Sequence, residues 1–348
     1  MNYNDFLDYV KDNLADCYKE IMISEDMDKI DVDTAEGAGV TEEERLKLKR
    51  EAEEKYDNCD IIIQKVVKNN GIILDAVSIY LEGEQVSPNI YLRPYYENYL
   101  MGKPLDFILA EIIYQYRNEK NESDICPVDF SDYTNVKDNL VIRVVNYELN
   151  KDMLKDCPHI KYLDLAVTFR YVIDENVYGL ATIMITYKEY NNWETDIEEV
   201  FQTALFNTMH RYPWCMEPLS KLVFDTFDEK MMKKLSEDIV EELNNIRNCE
   251  LGVNIYILTN QSKAFGAGCL LYDNVIKNFA KVQGCNIYIL PSSVHEVMLV
   301  PEDDETDPEF LKNLLSDANK SSVGLIDLLS NNIYYYDRNA DNITIFNE

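Results

Sequence analysis

No apolar stretch in the 348 residues reaches the roughly 18 to 20 consecutive positions that a membrane-spanning helix needs. The first residues, MNYNDFLD, carry neither the basic patch nor the apolar core of a secretory leader, so a cytoplasmic protein with no membrane partner is expected. Cysteines are present but scattered: Cys17, Cys59, Cys126, Cys157, Cys215, Cys249, Cys269 and Cys285 form no Cys-x-x-Cys motif. The one close Cys-His spacing, Cys157 to His159, offers two ligands where structural zinc takes four. Buried, reduced thiols are therefore expected, with no metal and no other cofactor. Basic residues are scarce, 33 Lys and Arg against 64 Asp and Glu, for a formal net charge of -31. Such a balance repels phosphate backbones and anionic lipid, which argues against direct nucleic-acid binding. It leaves one inverse reading, an acidic inhibitor that imitates DNA. A duplex carries one charge per about 1.7 Å, so the excess carboxylates match roughly 50 Å of it in number. A mimic needs them in two ordered rows, however, and here they are interleaved with Lys and Arg.

What the chain does have is enough apolar surface to fold. Hydrophobic residues make up 46%, with 25 Tyr and 12 Phe, far from the composition of a disordered chain. Its length exceeds the size at which one core usually keeps growing, so one large or two closely packed domains are expected. The most informative pattern is a near-repeat, NIYILTN at residues 254–260 and NIYILPS at 286–292. Each is a short β-branched and aromatic run stopped by turn chemistry, as a buried strand is. Each precedes a polar loop and a second apolar run, Cys269 to Tyr272 in one case and Val297 to Val300 in the other. Two strand-loop-strand units joined by a helix are expected, with both loops opening at one edge of a sheet.

Along the chain, Phe6, Tyr9, Val10, Leu14 and Tyr18 recur at helical spacing and predict a helix over 4–19. Residues 23–40 are acidic with little periodicity and are expected to be a solvated linker. Its spaced aspartates, Asp26, Asp28, Asp31 and Asp33, lack the Gly and terminal Glu of a calcium loop, and Gly37 and Gly39 follow no strand. Thr41 and Glu44 make a capping box for a charged helix to about residue 55. Asn69-Asn70-Gly71 between apolar runs predicts a hairpin of 61–68 and 72–81, because Asn and Gly accept positive φ. Helices are expected over 95–101, 105–117 and 136–154, with Cys126-Pro127 as punctuation between them. Strands follow over 164–173 and 177–187, a Thr195/Glu198-capped helix to about 210, and a mostly helical connection over 218–247. A helix from Asp307-Pro308 to 318 and a hairpin of 333–336 with 343–346 complete the chain. The expected class is α+β: a mixed, mostly antiparallel sheet in ββ-α-ββ-α-ββ order over 156–348. Residues 1–155 precede it as a helical and hairpin unit.

Candidate chemistry gathers on the two loops. Asn260, Ser262, Lys263, Ser292, Ser293, His295 and Glu296 are the candidate ligand-binding residues, because the sheet edge would bring these polar groups together. His295-Glu296 opens like a zinc-protease motif, but the residue four after His295 is Leu299 and the segment reads as strand. Ser293 and His295 share a strand face, which motivates a nucleophile and base, although there is no nucleophile elbow and no Gly-rich oxyanion segment. The plainer role of Ser292 and Ser293 is to cap the turn after Pro291. Phe265-Gly266-Ala267-Gly268 with Lys263 would let an anion approach the backbone, or would simply turn the chain. His159 and His210 stand alone, and Trp193 and Trp214 read as core.

Three segments carry a resemblance: Val66 to Asp75 around Lys68-Asn69-Asn70-Gly71, Asp156 to Val167 with Pro158-His159 and Leu163-Asp164-Leu165, and Ile289 to Val297. Together they resemble a domain-of-unknown-function family of gut-dwelling, low-GC Gram-positive bacteria over most of the chain. Relative to it, residues 25–57 look like an insertion. The C-terminal half more distantly resembles a second uncharacterised bacterial family with the same order of strands and helices. The resemblance implies a bacterial cytoplasmic origin and no particular activity. The leading expectation is a non-catalytic ligand- or protein-binding module whose recognition edge is formed by residues 259–268 and 291–296. The alternatives are a hydrolase using Ser293 and His295, and an acidic DNA mimic.

Overall fold

Phe6, Val10, Leu14 and Tyr18 each lie four residues from the next, so on a helix they make one stripe, and all four are buried. A computed structural model describes residues 1–35, 42–81, 87–121, 128–176, 179–221, 254–304 and 306–347. It divides into two compact units, Met1–Lys68 with Ile73–Ile125, and Asn69–Ile72 with Cys126–Glu348. The division falls near residue 125, and of the residues read as a helix over 136–154 those of Leu140–Asn146 form a strand of the second unit.

In the first unit, helix α1 (Tyr3–Ala35) packs on α2 (Glu42–Lys55) and α4 (Leu105–Asn121), with α3 (Arg93–Leu100) beside them. The three-stranded antiparallel sheet is β1 (Cys59–Val67), β2 (Ile73–Leu81) and β3 (Ile90–Tyr91). The α1 stripe meets Ile108, Ile112, Ile113 and Tyr116 of α4 and Val77 and Ile79 of β2. The segment expected to be a linker is helical through Ala35. Its acids are used: Glu25 pairs with Arg117 at 2.5 Å, and Asp26 takes Lys55 at 3.3 Å and the Tyr56 hydroxyl at 2.9 Å. The hairpin forms as predicted, with Asn70 and Gly71 at φ 60° and 67°. Its turn, residues 69–72, is part of the second unit, where the Asn70 amide nitrogen donates to the carbonyls of Leu325 and Leu328.

The second unit holds two antiparallel sheets. One contains β4 (Leu140–Asn146), β5 (His159–Tyr162), β6 (Leu165–Asn176) and β7 (Gly179–Met184), with β6 pairing all three others. The other has the order β13 (Asn342–Ile345), β12 (Tyr334–Asp337), β10 (Ile287–Leu290), β11 (Val297–Pro301), β9 (Tyr256–Asn260) and β8 (Trp214–Pro218). Short helices α5 (Tyr133–Val136), α6 (Lys151–Leu154) and α7 (Tyr187–Tyr190) join these strands. Longer ones are α8 (Ile197–Arg211), α9 (Val275–Gln283) and α10 (Pro308–Ser321). β10 is buried on both faces, which is why its sequence is continuously apolar instead of alternating. One core runs from Leu140, Ile142 and Val144 of β4 through Val200 and Ala204 of α8 to Ile287 and Ile289 of β10.

The α+β class with antiparallel sheets is as expected, but several elements differ. Leu140–Asn146 is a strand because Val141, Ile142, Val144 and Val145 pair with Arg170, Phe169, Val167 and Ala166 of β6. Such β-branched residues suit a pleated surface better than a helix. Cys269 to Leu271 belongs to a buried 3-10 turn, Gly266–Leu271, since both edges of β9 are already taken by β8 and β11. Asp196, not Thr195, caps α8, accepting from the Glu199 N–H at 2.9 Å. Trp193 is core, its indole N–H donating to the Phe130 carbonyl, whereas Trp214 on edge strand β8 is half exposed. Asp174-Glu175-Asn176, expected as a turn between strands, is the end of β6, while Thr41, Gly37, Gly39, Cys126-Pro127, Cys249, residues 177–178 and most of the 218–247 connection lie outside the described residues.

Candidate functional site

Strands β9 and β10 both run antiparallel to β11, so they point the same way, and Asn260 and Leu290 end at one edge of the sheet. The two loops meet there. Thr259 Oγ1 donates to the His295 carbonyl at 2.7 Å, and the Ala267 N–H donates to the Val294 carbonyl at 3.2 Å. Gly266 is what lets them close. A Cβ on it would lie 2.5 Å from the His295 carbonyl and 2.7 Å from the Asn260 nitrogen, contacts no side chain can make. Asn260 is buried and braces the first loop from within, its amide donating to the Ala264 carbonyl and its oxygen accepting from Ser262 Oγ and the Ala264 N–H. Among the candidates, Ser262 and Lys263 are therefore at the surface, while Asn260, Ser292 and Ser293 are internal.

His295 is the pivot. Its Nδ1 accepts the Phe265 N–H at 3.2 Å, which assigns the ring proton to Nε2, and Nε2 lies 3.3 Å from Asp327 Oδ1. The ring also stacks on Phe265, with centroids 5.3 Å apart and planes 27° apart. Ser293 Oγ instead accepts the backbone N–H of His295 at 3.1 Å, and Ser293 bridges to Leu328. The Ser293 hydroxyl and the His295 ring share no hydrogen bond, so the dyad that a hydrolase would need is not assembled. Glu296 stands half-buried beside them. Burial pushes its carboxyl up, His295 opposes that and Asp327 reinforces it.

The sequence reading missed two arginines. Arg143 on β4 faces Thr168 across the ladder and Arg170 on β6 faces Val141, which puts both guanidinium groups on one face, diagonally adjacent. Arg143 lies over the Phe265 ring, 3.8 Å from its centroid. Arg170 donates to Thr182 Oγ1 at 3.2 Å. Each residue keeps some exposed surface, yet the Nε of each is sealed from solvent with no hydrogen-bond partner among the described residues. Burial first and then repulsion from Arg170 lower the Arg143 guanidinium to about 9, with Asp327 acting the other way. Burial lowers Arg170 as well, with Cys157 opposing. Arg143 is still a cation at neutral pH. Burying a cation costs several kcal/mol, and stacking on an aromatic ring returns about 2 kcal/mol or somewhat more of it when the pair is desolvated. The signal in the sequence is a single charged residue inside each of two apolar strands, LVIRVVN and LAVTFRYVI, and it shows only once both are read as strands.

Elsewhere the lone histidines are structural: His159 Nδ1 contacts the Cys157 carbonyl and His210 Nδ1 the Phe206 carbonyl. Among the described residues no group of three or more His, Cys, Asp or Glu is placed to hold a metal ion. None of the described helices is long and apolar enough to cross a membrane.

Fold and site together define an α+β protein of antiparallel sheets with two loops locked around one histidine. Residues 41–338 match a family of unknown function, DUF5688, and since the match takes in most of the chain, the protein belongs to that family. All three segments that carried the resemblance fall inside the match. No curated protein and no solved structure matches the chain.

Proposed function

We propose that the protein is a non-catalytic binding module and that residues 259–268 and 291–296 form its recognition edge. The observation that carries this reading is the state of His295: one ring nitrogen holds the Phe265 N–H and the other faces Asp327. A general base needs a nitrogen free to take a proton from its nucleophile. A receptor instead gains from loops fixed in advance, because less entropy is lost when the ligand arrives. The setting in this reading is a bacterial cytoplasm, with which the free thiols of Cys17, Cys59, Cys157, Cys215, Cys269 and Cys285 agree.

Native mass spectrometry of the full chain, gently purified, tests the reading. The expected result is an added mass that disappears on denaturation and is absent from a His295→Ala variant. In parallel, a panel of nitrophenyl esters is expected to be hydrolysed only at the background rate by wild type, Ser293→Ala and His295→Ala alike. Saturable hydrolysis lost in both variants would overturn the proposal in favour of a hydrolase.

A further inference from the structure

We infer that Arg143 and Arg170 form a binding site for a carboxylate-sized oxyanion. This rests on the recognition edge proposed above and deepens it by naming the ligand's charged group. The two guanidinium groups line a small cavity, about 20 Å³ of space open to water-sized molecules, walled by Val141, Leu180, Tyr212 and Phe265. The other polar groups on its lining take part in hydrogen bonds, Thr182 Oγ1 accepting from Arg170 itself. Thr208 Oγ1 donates to the Ala204 carbonyl and accepts the Ile142 N–H, the Tyr212 hydroxyl donates to Glu175, and the Asn260 amide is held by its own loop. The charged groups on the lining are therefore the two guanidinium groups, and the Nε of each is sealed behind the surface with no hydrogen-bond partner among the described residues. Among the described residues no carboxylate lies within ion-pair distance of either arginine, in a chain with 64 acidic residues. The group that completes the site must bring acceptors and negative charge from outside.

Size narrows the choice. The space is little larger than one water, so the smallest oxyanion head group, a carboxylate entering oxygen first, is the one that suits it, and guanidinium donors favour that group. Phe265 fixes one wall. It sits at φ 54°, its N–H tied to His295 and its ring between His295 and Arg143, so the loop edge and the arginine pair form one continuous surface. A ligand held by its carboxylate at the arginines would reach the exposed residues of the 259–268 loop with the rest of its body.

The test uses the full chain as wild type, Arg143→Met and Arg170→Met, with acetate as probe. Thermal unfolding is followed against sodium acetate, sodium chloride and sodium phosphate at matched ionic strength, and acetate affinity is measured by titration calorimetry. Acetate is expected to raise the wild-type melting temperature saturably and beyond chloride, with affinity about tenfold or more weaker in each variant. Equal responses to acetate and chloride, or a response unchanged in both variants, overturn the site. A response to phosphate with none to acetate overturns the carboxylate assignment. Should a variant fail to fold, the wild-type contrast between acetate and chloride decides alone. The ester panel keeps the two readings apart. Acetate binding alongside Ser293- and His295-dependent hydrolysis overturns only the non-catalytic reading; a failed acetate response without hydrolysis overturns only this one.

Discussion

Arginine is treated in opposite ways in the two units. In the first, Arg117 of α4 sits 2.5 Å from Glu25, and hydrogen bonding to that carboxylate raises its guanidinium further above its ordinary range. Lys19 and Lys55 are handled likewise, at 2.5 Å from Asp57 and 3.3 Å from Asp26. In the second, Arg143 and Arg170 share a sheet face, burial lowers both, and no carboxylate pairs with either among the described residues. With acids outnumbering bases almost two to one, a carboxylate partner is the easy solution. A site that withholds one from two adjacent cations is organised around something other than internal stability.

The largest effect should come from breaking the loop that holds Phe265 over Arg143. A Gly266→Ala variant drives a methyl into the His295 carbonyl of the second loop and the Asn260 nitrogen at the end of β9, both backbone atoms that cannot yield cheaply. A loss of about 3 kcal/mol or more is expected in urea unfolding, at the upper end of overpacking costs. A loss under about 1 kcal/mol would mean that the loop is free to move away, and that the stack on Arg143 is not enforced.

Next in size is the arginine itself. Removing an uncompensated cation in favour of an apolar residue of similar length should stabilise, so Arg143→Met is expected to gain about 1 kcal/mol when no anion is added. Destabilisation instead would show that the stack on Phe265 outweighs desolvation. The sign of the pH dependence follows from the lowered guanidinium. Below about pH 9 the folded protein carries the full cost of the buried charge. Above it the native state sheds a proton that the unfolded chain, whose guanidinium titrates well above that pH, still holds. Wild-type stability therefore recovers, relative to the variant, and the advantage of Arg143→Met should shrink between about pH 8 and about pH 10. Comparing the two proteins at each pH cancels the tyrosines, which titrate in the same range in both.

What could be read beforehand follows the range of the interactions. The hairpin at Asn70-Gly71, the α10 cap at Asp307 and the strand Ile287–Leu290 depend on neighbours within a few residues, and all were legible. The segment 136–154 was not. Val136, Leu140 and Val144 repeat every four residues as a helix would, and only pairing with β6 selects the strand. The meeting of the two loops could be anticipated from the near-repeat, but its consequence could not. The hydrogen bonds that engage the His295 ring come from Phe265, 30 residues before it, and from Asp327, 32 residues after. For the same reason the arginine pair stayed hidden, because a lone cation in an apolar strand has no meaning until the register of β4 on β6 puts a second one beside it.

The smallest effect sharpens the comparison most, because it separates the two arginine environments by salt as well as by size. Arg117 and Glu25 keep 29% and 36% of their side chains exposed, so solvent screens the pair and much of its Coulomb energy is lost. A Glu25→Gln variant should lose only about 0.5 kcal/mol at low salt. That loss should fade toward zero in about 1 M salt, where screening acts within roughly 3 Å. The gain in Arg143→Met arises from desolvation, which dissolved ions screen much less, so it should persist in chloride and shrink only when acetate fills the site. If instead both effects fade together in chloride, the two arginines are equally solvated surface charges. The absence of a carboxylate beside Arg143 then carries no meaning.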